Sequence, residues 1–224
     1  MESKGNMYEG VITWNPLAGE CSHGCSYCST NALKRYPGVA EKYSGEVRLS
    51  HEFMKKFKGE PKTIFVAAQN DLFANNVPDS YIIAIINNCN IWNQHTYLFQ
   101  TKNPKRLEAF KDWFPVNTIL CTTIETNRIY PQMGNTARPT DRAVYLSLLD
   151  WAIKQVTIEP IMDFDHDAMC ELIRMCEPTQ VNIGADSKRN GLPEPSKAKI
   201  EALIRDMELH TKVVIKKNLY RLLK

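Results

Sequence analysis

Short apolar runs alternate with amphipathic stretches along the 224-residue chain. Gly10–Trp14, Thr63–Ala68, Thr96–Thr101, Asn117–Thr123, Gln155–Glu159, Gln180–Gly184 and Lys212–Lys216 read as strands. Ile64-Phe65-Val66-Ala67-Ala68 is apolar throughout, the pattern of a parallel strand covered on both faces. Helices fit between these runs. Asp79 can cap a helix carrying Ile82, Ile83, Ile85 and Ile86. Pro104 suits the first turn of a helix through Trp113. Arg138–Ala152 and a stretch opened by Asp165 and carrying Leu172, Ile173 and Cys176 follow. Ile200, Leu203, Ile204 and Met207 repeat at i, i+3, i+4, i+7.

A strand-helix unit repeated about six times, with a final strand, predicts a parallel α/β sheet or barrel. A closed eightfold barrel typically takes about 250 residues, so this length predicts a partial, open (β/α)6 barrel in a single domain spanning 1–224. Its working face lies at the C-terminal ends of the strands.

Composition narrows the class. The chain is 43% hydrophobic and 24% charged, which excludes collagen-like, coiled-coil and disordered readings. Its net charge of +3 permits a nucleic-acid partner without arguing for one. Met1–Gly10 is polar, and the longest apolar run, Tyr81–Ile86, falls far short of the roughly 20 residues of a membrane helix. The expectation is a cytoplasmic protein with no membrane partner, in which the seven cysteines are thiols.

Three of those thiols fall within Cys21-Ser22-His23-Gly24-Cys25-Ser26-Tyr27-Cys28, directly after the first strand run. The cluster loop, 15–28, therefore sits on the working face. Structural zinc takes four ligands, and His23 can supply the fourth. A four-iron cluster held by three thiolates instead keeps one iron open for a substrate or cofactor. Unligated buried thiols are the third reading. Cys89, Cys121, Cys170 and Cys176 have no Cys-x2-Cys spacing and read as core thiols.

The spacing C-x3-C-x2-C, with Tyr27 before the third cysteine, resembles the signature of the radical S-adenosylmethionine (SAM) family. Thr13-Trp14-Asn15-Pro16, Ile64-Phe65-Val66, Asn70-Asp71-Leu72-Phe73, Thr101-Lys102-Asn103-Pro104 and Ile158-Glu159-Pro160 resemble blocks of a phage-associated radical SAM family of unknown function. A Thr-Lys pair ending the third strand is similar to that of the spore photoproduct lyase family, which repairs DNA.

The resemblance implies a radical SAM-type barrel in which Cys21, Cys25 and Cys28 ligate a [4Fe-4S] cluster. The open iron would chelate SAM, and one electron would cleave it to methionine and a 5′-deoxyadenosyl radical that takes hydrogen from the substrate. It implies an electron donor such as flavodoxin or ferredoxin. Tyr27 is expected near the adenine. The family's Gly-Gly-Glu stretch is replaced by Ala68-Gln69-Asn70-Asp71, so Gln69 or Asp71 takes the SAM amino group. Lys102 is expected on the SAM carboxylate. Thr123, Glu125 and Glu159 end later strands, where further cofactor contacts fall.

Glu125–Arg142 is long for a strand-to-helix loop and is the candidate substrate loop, 125–142. Arg128, Arg138 and Arg142 with Tyr130 suit phosphate and base, which makes nucleic acid the leading substrate class. A small molecule or peptide is the alternative substrate. A non-enzymatic zinc-binding module is the alternative function.

Overall fold

The computed structural model describes residues 10–224, so the polar segment before Gly10 lies outside the described residues. The chain begins with strands β1 (Ile12–Trp14) and β2 (Leu17–Ala18), then helices α1 (Ser29–Leu33) and α2 (Pro37–Lys42). β3 (Arg48–Leu49), β4 (Thr63–Val66), α3 (Asp79–Ile91) and β5 (Thr96–Thr101) follow. Next come β6 (Thr118–Thr123), α4 (Pro139–Ser147), β7 (Lys154–Ile158), α5 (His166–Met175), β8 (Gln180–Ile183), α6 (Lys197–Glu208) and β9 (Lys212–Ile215).

Seven strands make one sheet in the order β1-β4-β5-β6-β7-β8-β9. This is the α/β class and open parallel sheet that the pattern predicts. Every predicted strand run overlaps one of these strands, β7 starting one residue early at Lys154. Among the described residues no helix is long and apolar enough to cross a membrane.

The chain divides into two compact units. The first holds residues up to Gly24 and Cys28–Leu120. In it β1 pairs with β4 in parallel, Ile12 opposite Ile64 and Trp14 opposite Val66, and β4 pairs likewise with β5. Helix α3 starts after Pro78 and buries Ile82, Ile85, Ile86 and Cys89, one face of a 3.6-residue period. Phe73, Phe99, Phe110 and Phe114 pack with ring centroids 5.0–6.1 Å apart. Edge and tilted ring contacts of this kind add to the burial they supply.

The second unit holds Cys25–Tyr27 and Cys121–Lys224. There β7, β8 and β9 pair in parallel, Gln155 opposite Gln180 and Gln180 opposite Lys212. Helix α6 buries Ile200, Leu203, Ile204 and Met207, and the Ser196 hydroxyl caps it at the Lys199 amide.

Two local expectations change, and one ribbon is new. Pro104–Trp113 is a 3-10 helix rather than an α-helix. Helix α4 stops at Ser147, well before Ala152. The two-residue strands β2 and β3 pair antiparallel in a separate ribbon.

Candidate functional site

In the first unit, the segment after β4 grips the front of the cysteine loop. Asn70 donates to the Gly19 carbonyl at 3.1 Å. Asn76 donates to the Glu20 carbonyl at 2.7 Å and accepts from the Ser22 amide. Asp71 is the centre of this grip. Its Oδ2 meets His23 Nε2 at 2.8 Å and accepts the Lys102 amide at 2.7 Å, while Oδ1 accepts the Phe73 amide at 2.9 Å. Burial pushes the Asp71 carboxyl up, but His23, the Lys102 amide and the Thr101 hydroxyl outweigh it and hold it below the usual range. Behind the loop, the Thr30 hydroxyl donates to the Gln69 carbonyl at 2.7 Å and meets its side-chain oxygen at 3.0 Å.

Cys21 and Cys28 are half-buried and outside any disulfide. Burial and the neighbouring Asp71 carboxylate push the Cys21 thiol up to about 12. Among the described residues, the group of three metal-ligating side chains whose donor atoms all lie within 4.8 Å of one another is His166, Cys170 and Asp206. Cys21, His23 and Cys28 do not converge in this way. A single zinc ion draws its donors to about 3.5 Å of one another.

In the second unit, Cys25-Ser26-Tyr27 is held by the long segment after β6. The Ser26 amide donates to the Gln132 carbonyl at 2.9 Å, and Cys25 Sγ approaches the Met133 carbonyl at 3.3 Å. The Tyr27 hydroxyl donates to Glu125 Oε1 at 2.5 Å. Glu125 Oε2 accepts from Arg142 at 2.7 Å. Arg142 also donates to the carbonyls of Thr123 and Ala137 and to the Thr136 hydroxyl. Glu125 and Arg142 are both 0% exposed. Burial, then the Glu125 carboxylate, raise the Tyr27 phenol far above its ordinary range, so it stays a donor.

Glu159 lies elsewhere in this unit. It pairs with Lys216 and accepts from Asn218 at 2.7 Å. A Cβ at Gly184 would come within 2.7 Å of the Glu159 carboxyl, so only glycine lets that group lie against the chain. Asn218 Oδ1 is buried without a hydrogen-bond partner.

The candidate residues thus separate by environment. Gln69, Lys102 and Glu159 are half-buried near strand ends, Gln69 accepting from Thr30 and Glu159 paired with Lys216. Asp71, Thr123 and Glu125 are buried, and Asp71 and Glu125 are committed to internal partners. The expected substrate arginines part company as well. Arg142, expected on the substrate, is wholly internal and paired with the equally buried Glu125, which demands a cation. Arg128 is claimed by Asp163 and Asp165, so its charge is spent within the fold. Arg138 alone of the three is exposed. The acidic partners Asp163 and Asp165 lie about 35 residues from Arg128, and no local spacing announces them.

No curated protein matches the sequence. Solved structures do match in fold. A spore photoproduct lyase variant with bound AdoMet and dinucleoside spore photoproduct superposes with a TM-score of 0.64 at 11% identity, covering 91% of this chain and 75% of that one. A second variant of that enzyme gives 0.64 at 11%, covering 96% and 78%. The enzyme complexed with dinucleoside spore photoproduct gives 0.59 at 12%, covering 89% and 74%. At such identities the likeness is one of fold. Residues 10–166, more than half of the sequence, match the model of a family described as protein of unknown function (DUF5131), and the chain belongs to that family.

Proposed function

We propose that the chain is a radical SAM enzyme. The observation that carries this reading is the C-x3-C-x2-C spacing on the loop between β1 and α1, in a fold shared with spore photoproduct lyase. Cys21, Cys25 and Cys28 would hold a [4Fe-4S] cluster. When bound, the cluster supplies the electron for reductive cleavage of SAM, with flavodoxin or ferredoxin as donor.

The residues of the chain prepare that chemistry. Asp71 fixes His23 and the Lys102 amide, which sets the loop and the third strand end in one network. Lys102 brings a cation for the SAM carboxylate, and Gln69 an amide for its amino group. Glu159, braced by Lys216 and Asn218, is the acidic contact of the second unit. Tyr27 is locked by Glu125, so its ring is a fixed wall for the adenine.

A nucleic-acid base is the proposed substrate, supported by the dinucleoside lesion held by the matched lyase. Arg138, Lys188 and Arg189 are exposed basic residues that would meet its phosphates. The setting is a reducing cytoplasm, where such a cluster survives.

The test is anaerobic purification, iron and sulfide analysis, reduction with dithionite and detection of 5′-deoxyadenosine from added SAM. Iron with 5′-deoxyadenosine is expected, and Cys25→Ala should lose both. Zinc without iron, or a cluster without SAM cleavage, would return the chain to the zinc-module reading, and full activity in Cys25→Ala would overturn the iron-ligand assignment. Oligonucleotide binding that weakens steeply with salt is expected for the substrate class. Its absence at low salt favours a small molecule or peptide.

A further inference from the structure

Helices α5 and α6 of the second unit bring three metal-ligating side chains together, away from the cysteine loop in sequence. His166 opens α5, and Cys170 stands one turn on at i+4, so both face one side. Asp206 comes from the last turn of α6. His166 Nε2 lies 2.7 Å from Asp206 Oδ2. Cys170 Sγ lies 3.8 Å from the same nitrogen and 3.9 Å from the same oxygen. Three donors of three kinds thus ring one point.

Tetrahedral zinc, with bonds of about 2.0–2.3 Å, sets its donor atoms about 3.5 Å apart. Both sulfur distances already approach that spacing. The His–Asp separation needs to open by under about 1 Å. Cys170 is buried, whereas the His166 and Asp206 side chains are 32% and 46% exposed. The trio therefore has a dry floor and a wet mouth, which admits an ion and a water as fourth ligand.

The other chemistry open to a Cys, His and Asp trio is a nucleophilic triad. That arrangement needs the thiol and the carboxylate at opposite ring nitrogens. Here both address Nε2. Burial and then the Asp206 carboxylate push the Cys170 thiol up, the reverse of an activated nucleophile. A cation between the two would remove that opposition.

We propose that His166, Cys170 and Asp206 form a zinc site that ties α5 to α6, separate from the loop cysteines. On binding, the Cys170 proton leaves to solvent, and the imidazole carries its remaining proton on Nδ1. The ion would act on stability, because the unfolded chain does not present the three donors together.

Cobalt(II) is the probe, since a thiolate-to-cobalt absorption band reports a bound cysteine. In a Cys21→Ser/Cys25→Ser/Cys28→Ser background, one cobalt per chain with that band is expected, displaced by zinc, together with a rise in Tm. Cys170→Ser added to that background should erase the band. Asp206→Asn should weaken binding at least about tenfold, as loss of a ligand costs more than loss of a supporting partner. A folded triple variant that shows no band overturns the proposal, and so does a band that survives Cys170→Ser. If the triple variant does not fold, the full chain and its Cys170→Ser variant are compared. Loss of one bound equivalent supports the site, and equal uptake overturns it. Iron content should not change in Cys170→Ser, so this test stands apart from the loop reading.

Discussion

Two buried acids hold the two parts of the cysteine loop, and they do so differently. Asp71, in the first unit, is surrounded by donors that include two backbone amides and the imidazole of His23. Glu125, in the second, has a phenol and a guanidinium among its partners. A guanidinium keeps its charge throughout the physiological range. Backbone amides cannot be mutated away. The first grip therefore includes donors that no substitution removes, and the second concentrates a permanent charge in Arg142.

Removing the concentrated partner should have the largest effect. Arg142→Met leaves Glu125 as an uncompensated buried charge, which costs about 3–5 kcal/mol. Urea unfolding should show that loss. A change under about 1 kcal/mol would mean that Glu125 is carried by other groups. Asp71→Asn should cost less, about 2 kcal/mol, since the amide oxygen can still accept one backbone N–H.

Acid titration sharpens the same contrast. The Asp71 carboxyl is held low in the fold, so its stabilisation is complete above the ordinary carboxylate value of about 3.9. It is lost as pH falls toward the lower, folded value. Urea midpoints taken from about pH 6 to about pH 3 should fall less steeply in Asp71→Asn than in the parent. Equal slopes would show that Asp71 does not supply the acid sensitivity.

Smaller effects follow. Tyr27→Phe removes one hydrogen bond to a carboxylate that keeps Arg142, a loss of about 1–2 kcal/mol by thermal unfolding. The same variant should retain iron, because it removes no thiol. Arg128→Ala comes last. Its pairs with Asp163 and Asp165 are screened by solvent, so the urea midpoint should hardly move, and oligonucleotide affinity should hardly change.

Much of the fold was legible because its signals are local. Ile64-Phe65-Val66 and Tyr97-Leu98-Phe99 are apolar runs that only a strand covered on both faces buries completely. The faces of α3 and α6 follow from one period. Pro104–Trp113 misled because proline opens a 3-10 turn as readily as an α turn. Two-residue β2 and β3 carry no periodicity at all. The candidate site was legible in residue types and less so in partners. Tyr27 and Glu125 are 98 positions apart, and nothing in either neighbourhood specifies the pairing. An arginine in a long polar loop reads as a surface contact until its acid is seen. His166 and Cys170 did carry a signal, one-turn spacing on an amphipathic helix, but Asp206 joins them only through packing.

Gly19 shows what the entry to the cysteine loop tolerates. Its φ is +90°, and a Cβ there would stand 2.2 Å from the Glu46 carbonyl oxygen, a collision with main chain that no rotamer relieves. Gly24, inside the loop at φ +64°, has open space where its Cβ would be. Asparagine or aspartate can adopt that backbone. Two glycines five positions apart thus set opposite limits on sequence drift. In a library of random codons, position 19 would return glycine alone, while position 24 would admit a short polar alphabet.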